Sequence, residues 1–94
     1  MNISEWLADW YKSECNGDWE HTYGIQIGTI DNPGWSLRVD LLETRYEGKK
    51  MSMKVLNSDE DWYDVTSNGE FFTAVGDASK LQLLITLFKE FIEK

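Results

Sequence analysis

Tyr23-Gly24-Ile25-Gln26-Ile27-Gly28-Thr29-Ile30-Asp31-Asn32-Pro33-Gly34-Trp35-Ser36-Leu37-Arg38-Val39-Asp40-Leu41 is the stretch that decides the fold. On its first arm Tyr23, Ile25 and Ile27 alternate with Gly24, Gln26 and Gly28. On its second arm Trp35, Leu37, Val39 and Leu41 alternate with Ser36, Arg38 and Asp40. A period of two places each apolar set on one side of a sheet, because successive strand side chains point to opposite faces. Between the arms, Pro33 presets φ and Gly34 tolerates positive φ, which predicts a type II turn with Pro33 at its second position. The stretch reads as a β-hairpin with one buried face.

Towards the N-terminus the period changes. Ile3, Trp6, Leu7, Trp10 and Tyr11 recur at i, i+3, i+4, i+7 and i+8, the stripe of an amphipathic helix. Asn2 is its expected N-cap, with Glu5 reaching back as in a capping box, and Asn16-Gly17 stops it near Cys15. Towards the C-terminus, a polar link from Glu43 to Lys50 leads to a strand with Met51, Met53 and Val55 on one side. A charged turn at 57–61 follows. Trp62–Thr66 and Glu70–Val75 then read as two strands joined at Ser67-Asn68-Gly69. The chain closes on a second helix with Leu81, Leu84, Ile85, Phe88, Phe91 and Ile92 on its apolar stripe, capped by Ser79 or by Asp77. Both helices need a surface on which to bury these stripes, and one sheet face supplies it. The expected fold is α+β: an N-terminal helix, an antiparallel sheet of four or five strands and a C-terminal helix, with both helices on one sheet face. Trp6, Trp10, Ile25, Ile27, Leu37, Val39, Leu84 and Phe88 form the expected core.

A chain of 94 residues fits one domain, 1–94, and its 41% hydrophobic content, rich in Trp, argues against disorder. Cys15 is the sole cysteine, so no internal disulfide forms and a reducing compartment is the expected setting. The first residues lack the basic and apolar segments of a signal peptide, and no apolar run approaches the roughly 20 residues of a membrane span. The expected location is the cytoplasm. Seventeen Asp and Glu against nine Lys and Arg give a net charge of −8. That field disfavours nucleic acid and anionic membrane, and it favours a basic protein partner. The plainer reading is that the charge keeps a small domain in solution.

Chemistry-bearing residues concentrate in Cys15-Asn16-Gly17-Asp18-Trp19-Glu20-His21, between the first helix and the first strand. Loops placed by a rigid scaffold are where functional side chains gather. The spacing of Cys15, Asp18, Glu20 and His21 matches no zinc pattern, so no metal and no cofactor are expected. Cys15 and His21 would suit thiolate catalysis if they met across the loop, but no oxyanion-forming glycine cluster follows Cys15. Two readings of the segment stay open. In one, Asp18, Trp19, Glu20 and His21, together with Asp31 and Asn32 of the hairpin turn, bind a partner. In the other, Asp18 accepts backbone N–H bonds, Trp19 packs on the core, and Glu20 and His21 bond each other or nearby backbone.

Gly17-Asp18-Trp19-Glu20-His21, then Tyr23-Gly24-Ile25 and Ile30-Asp31-Asn32-Pro33-Gly34-Trp35, resembles the Imm53 family of bacterial immunity proteins. Trp6-Leu7, Trp10-Tyr11 and Cys15 fit the same pattern. The resemblance covers the first 40 or so residues with distinctive motifs; beyond Asp40 it rests on length, Trp62 and the closing helix. It implies a role in polymorphic toxin systems: a small cytoplasmic protein that binds and neutralises a cognate toxin domain and is not an enzyme. A monomer or weak homodimer is expected. The competing readings are a small enzyme dependent on Cys15 and His21, and a domain that binds a small molecule or metal.

Overall fold

The computed structural model describes residues 2–94. Helix α1 spans Ile3–Glu14 and a single-turn helix α2 spans Trp19–Thr22. Strands β1 (Ile25–Ile30), β2 (Gly34–Asp40), β3 (Lys50–Ser58), β4 (Asp61–Asn68) and β5 (Phe71–Asp77) follow, and α3 (Leu81–Glu93) closes the chain. The expected α+β architecture is what forms, with five strands. α1 begins as its sequence predicts: the Asn2 side chain accepts the Glu5 N–H at 2.8 Å. The Glu5 carboxylate reaches back to the Asn2 side-chain amide, at 3.0 Å, rather than to its backbone.

The sheet is antiparallel throughout, in the order β1-β2-β5-β4-β3. After β2 the chain crosses to the far edge, and β4 and β5 lead back until β5 pairs with β2 in the middle. Leu37 then faces Ala74, and Val39 faces Phe72. One row runs across all five strands as Ile27, Leu37, Ala74, Val65 and Met53. Its three central members are completely buried, whereas Ile27 is 45% exposed and Met53 39%. The reason is the placement of α3, which packs over β5 and β2, while α1 packs chiefly against α3. Ile27 therefore leaves the expected core, and Trp6 and Ile25 line its margin. Trp10, Leu37, Val39, Leu84 and Phe88 are core as expected, joined by Leu41, Phe72 and Phe91.

Phe88 joins the layers. Its ring lies 4.9 Å from Trp10 and 5.9 Å from Trp6 of α1, and 5.0 Å from Phe72 of β5. All three contacts are edge-to-face, the geometry that the ring quadrupole favours.

Three local expectations change. The Asn32–Pro33 peptide bond is cis, and Gly34 lacks the positive φ that a type II turn with Pro33 at its second position requires. Gly34 instead lies buried in β2, where a Cβ would collide with the carbonyl oxygen of Gly76. Close backbone approach, rather than turn geometry, demands glycine there. The β4–β5 turn is displaced by one residue: Ser67 pairs with Phe72, so Gly69 and Glu70 are its central pair, with Gly69 at φ +93°. Asn68 Oδ1 holds the turn by accepting the N–H groups of Glu70 and Phe71 at 2.9 and 3.1 Å.

The third change is at α3. Its N-cap is Lys80 without any side-chain cap, so neither Ser79 nor Asp77 fills that role. Asp77 instead knots three segments. One oxygen accepts the N–H of Trp62, at 2.9 Å; the other accepts the N–H and hydroxyl of Ser79, at 2.8 and 2.6 Å. Lys80 Nζ sits 2.7 Å from Asp77 and 2.8 Å from Asp61. At the opposite end of α3, Lys49 Nζ donates to the Phe91 carbonyl at 2.6 Å, as suits a cation at a helix C-terminus.

Phe88→Ala should cost about 3–5 kcal/mol in urea unfolding, the range for truncating a buried aromatic. The Lys80 ammonium, then the Ser79 hydroxyl, hold the Asp77 carboxyl far below the usual carboxylate range despite burial. A depressed folded-state pKa gives a contribution that is complete above the unfolded value of about 4 and drains as pH falls towards the folded one. Wild-type stability should fall from about pH 4 downwards, and Asp77→Asn should flatten that limb of the stability–pH curve.

Candidate functional site

The segment between α1 and β1 is built from short-range hydrogen bonds. Asn16 Oδ1 accepts the N–H groups of Asp18 and Trp19, at 2.9 and 3.0 Å. Glu20 answers from inside the next turn: its carboxylate accepts the N–H groups of Asn16 and Gly17, at 2.9 and 2.8 Å. Glu20's own backbone N–H first, and then those of Asn16 and Gly17, hold its pKa low. Gly17, at φ +95°, lets the chain reverse between the two partners. Asn16 and Glu20 therefore hold the turn; Glu20 bonds nearby backbone as the second reading of the segment has it, whereas the Asp18 side chain makes no capping bond and is exposed.

Trp19 does not stand in an exposed turn. It is 2% exposed, its Nε1 donates to the Leu42 carbonyl at 3.1 Å, and its ring lies edge-on to Trp10 at 6.1 Å. Tyr11 covers it from the outside, with ring centroids 5.9 Å apart. A fully buried indole pinned to the β2–β3 link is part of the core and presents no ring to a partner. His21 is exposed, and its backbone N–H donates to Asp18 O at 3.1 Å. Cys15 gives its thiol to the Tyr11 carbonyl at 3.3 Å, and among the described residues no hydrogen bond joins it to His21. No group of three or more His, Cys, Asp or Glu among the described residues is placed to hold a metal ion.

Asp31 and Asn32 are exposed in the β1–β2 turn. They do not join Asp18 and His21 in one patch. The six residues of β1 separate the two groups, about 20 Å at roughly 3.3 Å per residue. The predicted site residues thus sit at opposite ends of β1, with Glu20 and Trp19 turned to structural use. Exposed apolar surface lies elsewhere: Tyr11 of α1, Ile27 of β1, and Leu56, 69% exposed, near the β3–β4 tip. Alternation had assigned Ile27 to the core, and only the position of α3 reveals its exposure. Leu56 follows Val55 on the opposite face of β3, and that register is legible in sequence once the strand is placed.

Trp19→Ala should lower unfolding free energy by about 3–5 kcal/mol. Asp18→Asn, in the same turn, should shift it by less than about 0.5 kcal/mol, as exposed positions do. Chemical denaturation of the two variants side by side checks both.

No helix among the described residues is long and apolar enough to cross a membrane. No curated protein and no solved structure matches the chain. A family model does: residues 4–93 match immunity protein 53, Imm53. The match runs through both outer helices and every strand, well past the motifs of the first 40 residues, and the chain belongs to the Imm53 family.

Proposed function

We propose that this chain is a stoichiometric inhibitor: it binds a cognate toxin domain in the cytoplasm of the cell that makes it, and has no turnover of its own. The observation that carries the reading is membership of an immunity-protein family over residues 4–93. The net charge of −8 supports a basic partner, because opposed fields accelerate encounter by about 10–10³-fold. Among the six residues first singled out, Asp18, His21, Asp31 and Asn32 are free to meet that partner. Glu20 and Trp19 serve by shaping the turn. A thiol engaged with a helix carbonyl gives the alternative, catalysis by Cys15 and His21, little to work with.

Rim carboxylates act on the association rate more than on the lifetime of a complex. With the toxin domain encoded beside this chain, the two should form a one-to-one complex that abolishes toxin activity. Raising salt from about 15 to about 150 mM should lower k_on about tenfold and leave k_off within about twofold. Asp18→Asn combined with Asp31→Asn should reproduce part of that loss. A toxin that stays active beside excess folded protein would refute the reading.

A further inference from the structure

β1 is an outer strand, paired with β2 on one side only. The Asp40 N–H donates to the Gly24 carbonyl at 3.0 Å, which sets the phase of the ladder. In that phase Gln26, Gly28 and Ile30 bond to β2, and Ile25, Ile27 and Thr29 turn their N–H and C=O groups out along the open edge. The side chains of the same residues lie on the helix face. There Ile25 and Ile27, with Leu7, Ala8 and Tyr11 of α1, line an apolar groove of about 640 Å³. An unpaired strand edge alongside an apolar groove fits an added strand: main-chain bonds give affinity, and alternate side chains enter the groove.

The two edges of the sheet differ. β3 carries Lys50 and Lys54, and its ladder is interrupted between Leu56 and Ser58, next to Asp59 and Glu60. Lysines and bulges are the devices that keep a strand edge from pairing. β1 has none of them: residues 25–30 hold no charge and no proline, and the register with β2 runs unbroken. Carboxylates stand at its two ends instead. Asp31 occupies the turn end. At the other end Asp40 accepts the Gly24 N–H, and burial followed by the Glu43 carboxylate raises the Tyr23 pKa. Asp18 lies beyond, just before α2.

We infer that β1 is the edge to which the toxin adds a strand: an extended segment with alternate apolar side chains seated in the groove and Lys or Arg at its ends. This inference rests on the toxin-binding role proposed above and names its surface. A second copy of this chain is the poorer occupant, because each copy brings a charge of −8 and no basic residue on β1.

Two variants on β1, a control variant on β3 and one measurement on the wild-type chain test it. Thr29→Pro removes an outward N–H while sparing the ladder to β2, and Ile27→Lys places a charge on the edge. Each should weaken binding of the neighbouring-gene toxin domain at least about 30-fold, mainly through k_off, with β2 and β5 amides still protected. Met53→Lys on the opposite edge should stay within about threefold of wild type. In wild-type protein, toxin should slow hydrogen exchange at the Ile25, Ile27 and Thr29 amides at least about tenfold. A neutralising complex that leaves those amides unprotected overturns the edge assignment and keeps the binding role. So does one weakened by Met53→Lys but not by the β1 variants. Absence of any complex overturns both, and a concentration-dependent dimer lost in Ile27→Lys would assign β1 to a second copy instead.

Discussion

The ring of Phe88 is the contact through which the layers of this protein hold one another. α1 packs on α3 and gains little direct purchase on the sheet, so its two tryptophans reach the core by touching Phe88. The same ring rests on Phe72 of β5, the strand at the centre of the sheet. Trp10 then supports Trp19, and Trp19 reaches the link after β2 through its indole N–H. The segment with the most chemistry in the sequence is thereby fixed to the core by a chain of aromatic contacts. Among the described residues no protein group accepts from the buried Trp10 indole N–H.

What the helices leave uncovered follows from that geometry. A single helix about 10 Å wide, lying over β5 and β2, can seal two or three strands spaced about 4.8 Å apart. The edge strands lie beyond it, and their inward side chains meet solvent although the sequence marks them as apolar. At β3 the backbone edge is defended by lysines and a broken ladder. At β1 it is not. The asymmetry arises from two different strand sequences placed at equivalent positions of one sheet.

The acidic charge also divides once the fold is known. Asp77 is spent on Trp62, Ser79 and Lys80, and Asp61 on Lys80 and Asn57. Glu20 and Glu47 accept backbone N–H bonds that close local turns. These carboxylates shape the molecule. Among the described residues Asp18 and Asp31 make no such bond through their side chains, which are exposed. A net charge read from composition counts both kinds alike, which is why it could argue equally for solubility and for a basic partner.

The sequence by itself determined the elements and their order, because hydrophobic period is a local property. The 3.6-residue stripes of α1 and α3, the alternation of β1 and β2, the Asn2 cap and the stop after Cys15 all lie within a few residues of their cause. It also carried the family, through the Gly17–His21 motif in the turn after α1 and the hairpin. That turn is local too, but its division of labour was not legible: Asn, Asp and Glu can all accept an N–H, and only the backbone path shows Asn16 and Glu20 doing so while Asp18 points away. Tertiary structure alone decided what depends on residues far apart in the chain. It inserted β5 beside β2, demanded glycine at 34 because the Gly76 carbonyl passes close by, buried Trp19 against Trp10 and exposed Ile27. Alternation tells which face a side chain is on; whether that face is covered depends on where the last helix in the chain comes to rest.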